Sequence, residues 1–230
     1  MMSDIFDQLS NEWWKIDGAF KALHSFNYVR VALVNDIVVN EIKRKKQQIS
    51  LLDLGCGGGI FCEPLARVGY KVHGIDTNEK AIEIARHHSK KNGLDICYYN
   101  SEISLFDSKK KFDIITCMEV LEHTSYPNTI IGEVKKRLKP GGHFIGSTIN
   151  KTIESYLFAI IIAENFLSLI PKGTHDWKSF ITPNKLKKIL LINGLSKFNK
   201  YGVSYNPLLN SWKFHNNCKI NYLFSSKFEN

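Results

Sequence analysis

The sequence is poor in cysteine and contains no long apolar run. Its 230 residues include five cysteines, an odd number, and no two of them have the C-x-x-C spacing of redox and zinc sites. We therefore expect neither a disulfide scaffold nor a zinc site, and the cysteine content suits a reducing compartment. Because no apolar stretch reaches the roughly 18 residues that cross a bilayer, no transmembrane helix is expected.

Acidic residues are also fewer than basic ones. The chain has 22 Asp and Glu against 31 Lys and Arg, which gives a net charge of +9. This balance favours anionic surroundings such as acidic lipid, nucleic acid or an anionic ligand, although clusters such as 43–46 and 109–111 also fit solvated loops and helix ends. Near the amino terminus, Asp4, Asp7 and Glu12 replace the basic-then-apolar pattern of a secretory signal, so a cytoplasmic protein is expected.

The order of the apolar residues predicts an α/β fold. Helical spacing over residues 1–47 indicates an N-terminal helical segment that packs on a catalytic domain at 48–230, in which an apolar insertion lies near 151–182. In the first part of that domain strands and helices alternate, which is typical of a mainly parallel sheet with helices on both faces. The seven predicted strands are 49–54, 71–75, 95–99, 112–118, 143–147, 195–203 and 220–225. The predicted helices between them are 61–68, 79–92, 129–138 and 183–193.

A glycine-rich loop after the first predicted strand is the most informative motif. The run 51–54, Leu-Leu-Asp-Leu, leads into glycines at 55, 57, 58 and 59, and the next predicted strand ends on Asp76. Glycine takes positive φ and has no Cβ, so a flat ligand can lie against the main chain. A carboxylate about 20 residues further on can accept hydrogen bonds from ribose hydroxyls. The pattern predicts an adenosine-type cofactor, because a turn without a ligand would carry the entropic cost of these glycines for no gain.

Two details favour S-adenosylmethionine (SAM) over a nicotinamide dinucleotide. The dinucleotide loop has the pattern G-x-G-x-x-G, and Ile60 stands where its third glycine would fall. Glu63 lies in the first turn of the following helix, where a carboxylate would repel pyrophosphate and suit a cationic ligand. SAM is such a ligand, since it carries a sulfonium and has no phosphate.

A second cluster of functional side chains follows the fourth predicted strand. Residues 117–123 read Cys-Met-Glu-Val-Leu-Glu-His and lie at the carboxyl edge of the sheet, where open α/β sheets bind ligands. We expect Met118 to lie against the adenine. Glu119, Glu122 and His123 fit a general base or a site for a hard metal ion, and the alternative is helix capping plus a surface histidine.

Several further segments are shared with one family. They are Trp13-Trp14, Leu23-His24, LDLGCGGG at 52–59, Gly74-Ile75-Asp76, CMEVLEH at 117–123, LKPGG at 138–142, Ser147–Asn150, PKGTHD at 171–176 and Tyr205-Asn206-Pro207. At these residues the chain resembles the ubiquinone biosynthesis O-methyltransferases, which have the Rossmann-like fold of class I SAM-dependent methyltransferases. Small departures are Lys151, where the family usually has arginine, and the unusual segment 177–180.

The resemblance implies transfer of methyl groups to hydroxyls of polyprenylated phenols and quinols, at two steps of the quinone pathway. It implies SAM contacts through Arg30, Gly55, Asp76 and Met118. Related members bind a divalent ion through residues that match Glu119, Glu122 and His123, so Mg²⁺ is a second expected cofactor. Without the resemblance, a surface ion pair would be the favoured role of Arg30.

The chemistry needs a means of ionising the acceptor. A phenol has a pKa of about 10, so about one molecule in a thousand is ionised at neutral pH. His123 can act as the base, or Mg²⁺ held by Glu119 and Glu122 can stabilise the phenolate. His175 and Asp176 form another candidate base pair, and a structural hydrogen bond is the alternative for that histidine.

The apolar stretch 156–170 has three interpretations: a core helix, a lid over the acceptor, or a helix at the membrane surface. A polyprenyl tail stays in lipid, since each buried CH₂ adds about 0.8 kcal/mol. We therefore expect peripheral association with anionic lipid at the inner face of the cytoplasmic membrane, next to other enzymes of the pathway.

The first rival function is methylation of another small molecule or of RNA. No stacking platform of aromatic and basic residues is evident, so no nucleic acid is expected. The second rival is a cofactor-binding module without activity.

Overall fold

The computed structural model describes residues 9, 12–107, 109–124, 126–156, 177–206 and 208–229. The helices of this part are α1 (Lys21–Ile37), α2 (Cys62–Val68), α3 (Glu79–Lys91), α4 (Pro127–Arg137), α5 (Ile153–Tyr156) and α6 (Pro183–Ile192). The strands are β1 (Ser50–Leu54), β2 (Lys71–Asp76), β3 (Ile96–Asn100), β4 (Phe112–Met118), β5 (Leu138–Ile149), β6 (Leu195–Asn206), β7 (Ser211–His215) and β8 (Asn221–Phe228). A 3₁₀ turn, Leu121–His123, follows β4.

The strands form one mixed sheet in the order β3-β2-β1-β4-β5-β8-β6-β7. Strands β1 to β5 pair in parallel, whereas β8 pairs antiparallel with β5 and β6, and β7 pairs antiparallel with β6. The predicted α/β class with a mainly parallel sheet is confirmed. The predicted number of seven strands is wrong by one, because β7 adds an edge strand that the sequence interpretation left out.

Apolar clusters cover both faces of the sheet. Leu51 and Leu52 are neighbours on β1 and point to opposite faces. Helices α1, α2 and α3 pack on the face of Leu51, while α4 and α6 pack on that of Leu52. Because helices lie on both faces, ligands can reach the strands only at an edge, which agrees with the predicted location of the site.

The carboxyl ends of the parallel strands meet at one edge. Leu54 pairs with Ile75 on β2 and with Cys117 on β4, so the glycine loop, Asp76 and Met118 start side by side. The segment 139–142, which follows the predicted helix 129–138, forms an irregularity within β5, where the register to β4 shifts and Gly141 has a φ of +74°. This lets β5 pair with β4 along the remaining length.

Helix α1 belongs to the same core as the sheet. Phe26, Val29, Leu33 and Val34 share an apolar cluster with Leu51, and their exposed fractions are 3% or less. Asn27 Nδ2 donates to the carbonyl oxygen of residue 60, next to the glycine loop, at 2.7 Å. The helix is thereby tied to the loop, while the proposed boundary at residue 47 stays a prediction.

Some predicted features lie outside the described residues. Of the apolar stretch 156–170 only the end of α5 is described, and His175 and Asp176 fall outside as well. Within the described ranges, no helix has both the length and the apolar character that crossing a membrane requires.

Gly146 tests the packing at the centre of the sheet. A Cβ on this β5 residue would lie 2.5 Å from the ring of Phe224 and 2.6 Å from the carbonyl oxygen of Cys117. Gly146→Ala should therefore lower the free energy of unfolding by about 1–3 kcal/mol, as overpacked cores do. Urea unfolding followed by circular dichroism measures the change.

The matched control for this prediction is Gly132→Ala in helix α4. A Cβ there meets only Asn193 Oδ1, at 3.2 Å, and alanine favours a helix over glycine by roughly 0.5–1 kcal/mol. This variant should be as stable as the unaltered chain or more so. Equal losses in both variants would contradict the packing described here.

Candidate active site

The glycine loop and Asp76 are joined directly by hydrogen bonds. The N–H of Gly57 donates to Asp76 Oδ2 at 2.8 Å, and the N–H of Asn78 donates to Oδ1 at 2.9 Å. Burial raises the pKa of Asp76, and the N–H donors of Asn78, Gly57 and Thr77 oppose that rise. A carboxylate has about four acceptor sites, so Asp76 can still accept a hydrogen bond from a ligand.

The loop glycines serve packing as well as conformation. Gly55, Gly57 and Gly59 have φ values of +73°, +51° and +84°, which residues with a Cβ rarely adopt. The space that their missing Cβ atoms leave is taken by the protein, since a Cβ would lie 2.4 Å from Val120 at Gly55 and 2.4 Å from Trp13 at Gly57. A ligand that lies against the main chain must therefore approach the loop from another side, and this contact stays a prediction.

Arg30 lies within the protein rather than on its surface. Its exposed fraction is 3%, and its guanidinium carbon lies 4.2 Å from the centre of the Phe26 ring. Burial lowers the pKa of Arg30, and the charges of Glu119, Asp53 and Glu122 raise it. No carboxylate of the described residues lies within ion-pair distance, and Nε has no hydrogen-bond partner among them. The alternative of a surface ion pair is excluded, and the cation is left available for an anionic group.

Asp53 lies beneath the glycine loop with an exposed fraction of 2%. Its Oδ1 accepts a hydrogen bond from Thr116 Oγ1 at 2.7 Å, and its Oδ2 accepts one from Cys62 Sγ at 3.4 Å. Burial raises the pKa of Asp53 to about 6, and the hydrogen bonds from Thr116 and Cys62 oppose the shift. The sequence interpretation missed this residue, although an acid inside an apolar strand is a recognisable signal.

Glu119 and Glu122 form a pair of neighbouring carboxyl groups just after β4. Glu122 is 2% exposed and accepts a hydrogen bond from Thr148 Oγ1 at 2.8 Å. Burial, followed by the negative charge of Glu119, raises the pKa of Glu122 well above its usual range. The neutral, protonated form of the Glu122 carboxyl is therefore favoured over its carboxylate. Glu119 has a φ of +56°, a strained conformation for a residue with a side chain and one that often occurs at functional sites.

The described residues do not assemble the expected metal site. His123 is half-buried and ends the 3₁₀ turn that also carries Glu122. Successive residues of such a turn point about 120° apart. No group of three His, Cys, Asp or Glu side chains within the described ranges could hold a metal ion. The set Glu119, Glu122 and His123 therefore does not fit a three-ligand site in this structure.

Two other predicted residues have surroundings that differ from those expected. Met118 is 8% exposed and packs in the apolar cluster that contains α1, so its contact with an adenine stays a prediction. Glu63 is 2% exposed, and its carboxylate faces His88 Nδ1 at 2.6 Å and Arg67 Nη2 at 3.5 Å. Its charge is met inside the protein, so the argument that Glu63 itself repels pyrophosphate is wrong.

The charge around the glycine loop and the end of β4 nevertheless favours a cationic ligand. Four carboxyl groups lie near the glycine loop and the end of β4, and three of them act on the buried guanidinium of Arg30, so acids outnumber this base. A doubly charged pyrophosphate would add to this excess, whereas a sulfonium would reduce it. The four carboxyl groups are Asp53, Asp76, Glu119 and Glu122.

The sequence and the fold are both similar to those of known methyltransferases. A family model described as "Methyltransferase domain" matches residues 8–197. A protein of Pelagibacter ubique (strain HTCC1062) named "Ubiquinone biosynthesis O-methyltransferase" is 41% identical over 223 residues, which cover 95% of this chain and 93% of that protein. A protein of Bartonella tribocorum with the same name is 39% identical and covers 97% of this chain and 94% of its own length.

Solved structures show the same fold at low sequence identity. The crystal structure of magnesium protoporphyrin IX methyltransferase from Synechocystis PCC 6803 with bound SAM superposes with a TM-score of 0.66 at 16% identity. The match covers 98% of this chain and 96% of that one. The Rossmann-like methyltransferase fold predicted from the sequence is confirmed.

Asp53 gives the stability of the protein a distinctive pH dependence. Between pH of about 4 and 6 the unfolded chain ionises this carboxyl, whose usual pKa is about 3.9, while the folded chain keeps the proton because its pKa is about 6. The contribution of Asp53 to the free energy of unfolding should thus fall as pH rises through this window. At about 1.4 kcal/mol for each pKa unit, the fall is about 2–3 kcal/mol.

Asp53→Asn removes this titration and keeps an oxygen acceptor for Thr116. The difference in free energy of unfolding between variant and unaltered chain should shift in favour of the variant as pH rises from about 4 to 7. Urea unfolding at several pH values measures it. Asp17→Asn, at a side chain that is 89% exposed, is the control. A difference that does not change with pH would contradict the assignment.

Proposed function

The chain belongs to the ubiquinone biosynthesis O-methyltransferase family, and from this premise we propose that it transfers the methyl group of SAM to hydroxyls of polyprenylated phenols and quinols, at both O-methylation steps of the pathway. The structural observation that carries the proposal is Arg30, a buried cation that lacks an ion-pair partner among the described residues beside the glycine loop. A ligand with one carboxylate and an adenosine fits this arrangement.

The donor site is built from residues that the sheet edge brings together. Arg30 pairs with the carboxylate of the donor, and a guanidinium can do so through two parallel hydrogen bonds. Asp76 accepts the ribose hydroxyls, Gly55 contacts the donor through its main chain on the side away from Val120, and Met118 contacts the adenine. The acidic side chains of Glu119 and Glu122 follow β4 at the same edge and favour the cationic end of the ligand. Bound SAM supplies a methyl group on a positively charged sulfur, which an ionised phenol oxygen accepts.

The proton of the acceptor hydroxyl goes to His123. This side chain is half-buried at the carboxyl edge, next in sequence to the buried Glu122, and neutral imidazole is abundant near neutral pH. Glu122 is less suited to the task, because burial and the charge of Glu119 raise its pKa and favour its protonated form. Since the described donors do not fit the expected three-residue Mg²⁺ site, we derive no step through a metal ion. The remaining catalysis is the alignment of the two reactants.

The acceptor determines where the enzyme works. A polyprenyl tail partitions into lipid, so the protein must reach the surface of a membrane. The net charge of +9 favours a surface that carries anionic lipid. We therefore infer a cytoplasmic enzyme, peripherally associated with the inner face of the cytoplasmic membrane and near the other enzymes of the pathway.

Arg30→Met tests the donor site. The variant should bind S-adenosylhomocysteine at least about tenfold more weakly, because a charge-assisted hydrogen bond contributes roughly 1.5–3 kcal/mol. Its free energy of unfolding should stay equal or rise, since methionine removes an uncompensated buried charge. Isothermal titration calorimetry and urea unfolding give the two values.

Arg44→Met is the matched control for Arg30. Arg44 pairs with Asp113 near the amino end of β4, far from the ligand edge, so its loss should leave affinity unchanged. If Arg30→Met binds like the unaltered chain, the proposed role of Arg30 is refuted.

The reaction itself is tested with labelled SAM and a short-chain prenyl catechol, with and without EDTA, beside a parallel reaction that contains RNA. A methyl ether of the catechol should form in both conditions, because His123 rather than a metal takes the proton. No ether in either condition would overturn the proposed reaction. Loss of product only with EDTA would overturn the role of His123, and label on RNA would support the rival function.

A further inference from the structure

A short segment before α1 lies directly on the glycine loop. We call residues 12–20 the tryptophan strap. Trp14 Nε1 donates a hydrogen bond to the carbonyl oxygen of Gly58 at 3.0 Å. The indole of Trp13 covers the Cα atoms of Gly57 and Gly58, where added Cβ atoms would lie 2.4 Å and 2.6 Å from its ring. The strap therefore contacts the loop through both a polar and an apolar contact.

The strap is itself held in place on two sides. The ring of Trp13 stacks on Phe20 with centres 4.1 Å apart. The backbone carbonyl oxygen of Trp13 lies 2.9 Å from His24 Nε2. The ring of Trp14 stacks on His88 of α3 at 3.5 Å. His88 in turn contacts Glu63 in the first turn of α2 at 2.6 Å. His24 of α1 and His88 of α3 lie outside both the strap and the loop, so these two contacts let the strap act on the loop as a support.

The loop is held from its other side by Asp76. The N–H of Gly57 donates to Asp76 Oδ2, while the carbonyl of Gly58 accepts from Trp14. The peptide units between these two contacts consist of glycine, which has little conformational preference of its own. The peptide unit of the Gly58 carbonyl also carries the N–H of Gly59, which donates to the carbonyl oxygen of Cys56 at 3.0 Å. The Cys56 carbonyl shares its peptide unit with the N–H of Gly57, so a rotation at Gly58 reaches the N–H that holds Asp76. The orientation of the carboxylate thus depends on the strap.

We propose that Trp14 is a positioning residue for the methyl donor. Acting through Gly58 and Gly57, it holds Asp76 in the orientation that accepts the ribose hydroxyls. The inference rests on the proposed function for the identity of the donor and is independent of the acceptor. It predicts that the strap controls affinity for SAM and leaves affinity for the phenol unchanged.

Trp14→Phe tests this, because it keeps a ring on His88 and removes the N–H donor. Loss of one hydrogen bond should raise the Kd for S-adenosylhomocysteine about fivefold. The KM for SAM should rise similarly, while kcat at saturating SAM and the KM for the acceptor stay unchanged. Calorimetry and steady-state kinetics measure these values.

The matched control is Trp212→Phe. Trp212 Nε1 donates to the carbonyl oxygen of Ala22 at 3.2 Å, so the variant also loses an indole hydrogen bond, but on β7. The Kd of Trp212→Phe for S-adenosylhomocysteine should stay unchanged, although this variant should lose about as much thermal stability as Trp14→Phe. His88→Ala, which removes the ring under Trp14, should raise the Kd in the same direction and gives a second test if Trp14→Phe does not fold.

The outcomes separate this inference from the proposed function. Unchanged Kd values in both Trp14→Phe and His88→Ala would overturn the positioning role alone. Equal weakening by Trp212→Phe would overturn it too, since general loosening would then explain the effect. If the unaltered chain does not bind S-adenosylhomocysteine, the proposed donor site and this inference both fail.

Discussion

The burial of one guanidinium beside a cluster of carboxyl groups is the constraint on which the site depends. Arg30 is 3% exposed and lacks an ion-pair partner among the described residues, although three acids act on it through longer-range attraction. A buried charge costs free energy unless a partner compensates for it. The Phe26 ring supplies part of that compensation. A ligand that brings a carboxylate can supply the rest of the compensation for the buried charge of Arg30.

The topology explains why such a site can exist. Strands β1, β2 and β4 are neighbours in the sheet, so the glycine loop, Asp76 and the Glu119–Glu122 pair emerge at one edge although they are distant in sequence. Helix α1 packs across the same face and carries Arg30 inward. Burial and the negative charge of Glu119 then favour the protonated form of Glu122.

Features determined by local sequence were predictable, and features determined by packing were not. The glycine loop, Asp76 and β4 follow from residues adjacent in the chain, and the structure has them where they were predicted. The burial of Arg30 depends on how α1 packs on the sheet, which no local pattern reports. The same holds for Glu63, whose partner His88 lies 25 positions away. Strand β7 was missed, although Trp212 and Phe214 alternate with polar residues in the manner of a strand.

A crystal structure of the chain with S-adenosylhomocysteine tests the central claim most directly. The account predicts that the carboxylate of the ligand lies about 3 Å from the guanidinium of Arg30 and that its ribose hydroxyls lie on Asp76. A ligand whose carboxylate lies away from Arg30, with the guanidinium still unpaired, would contradict it.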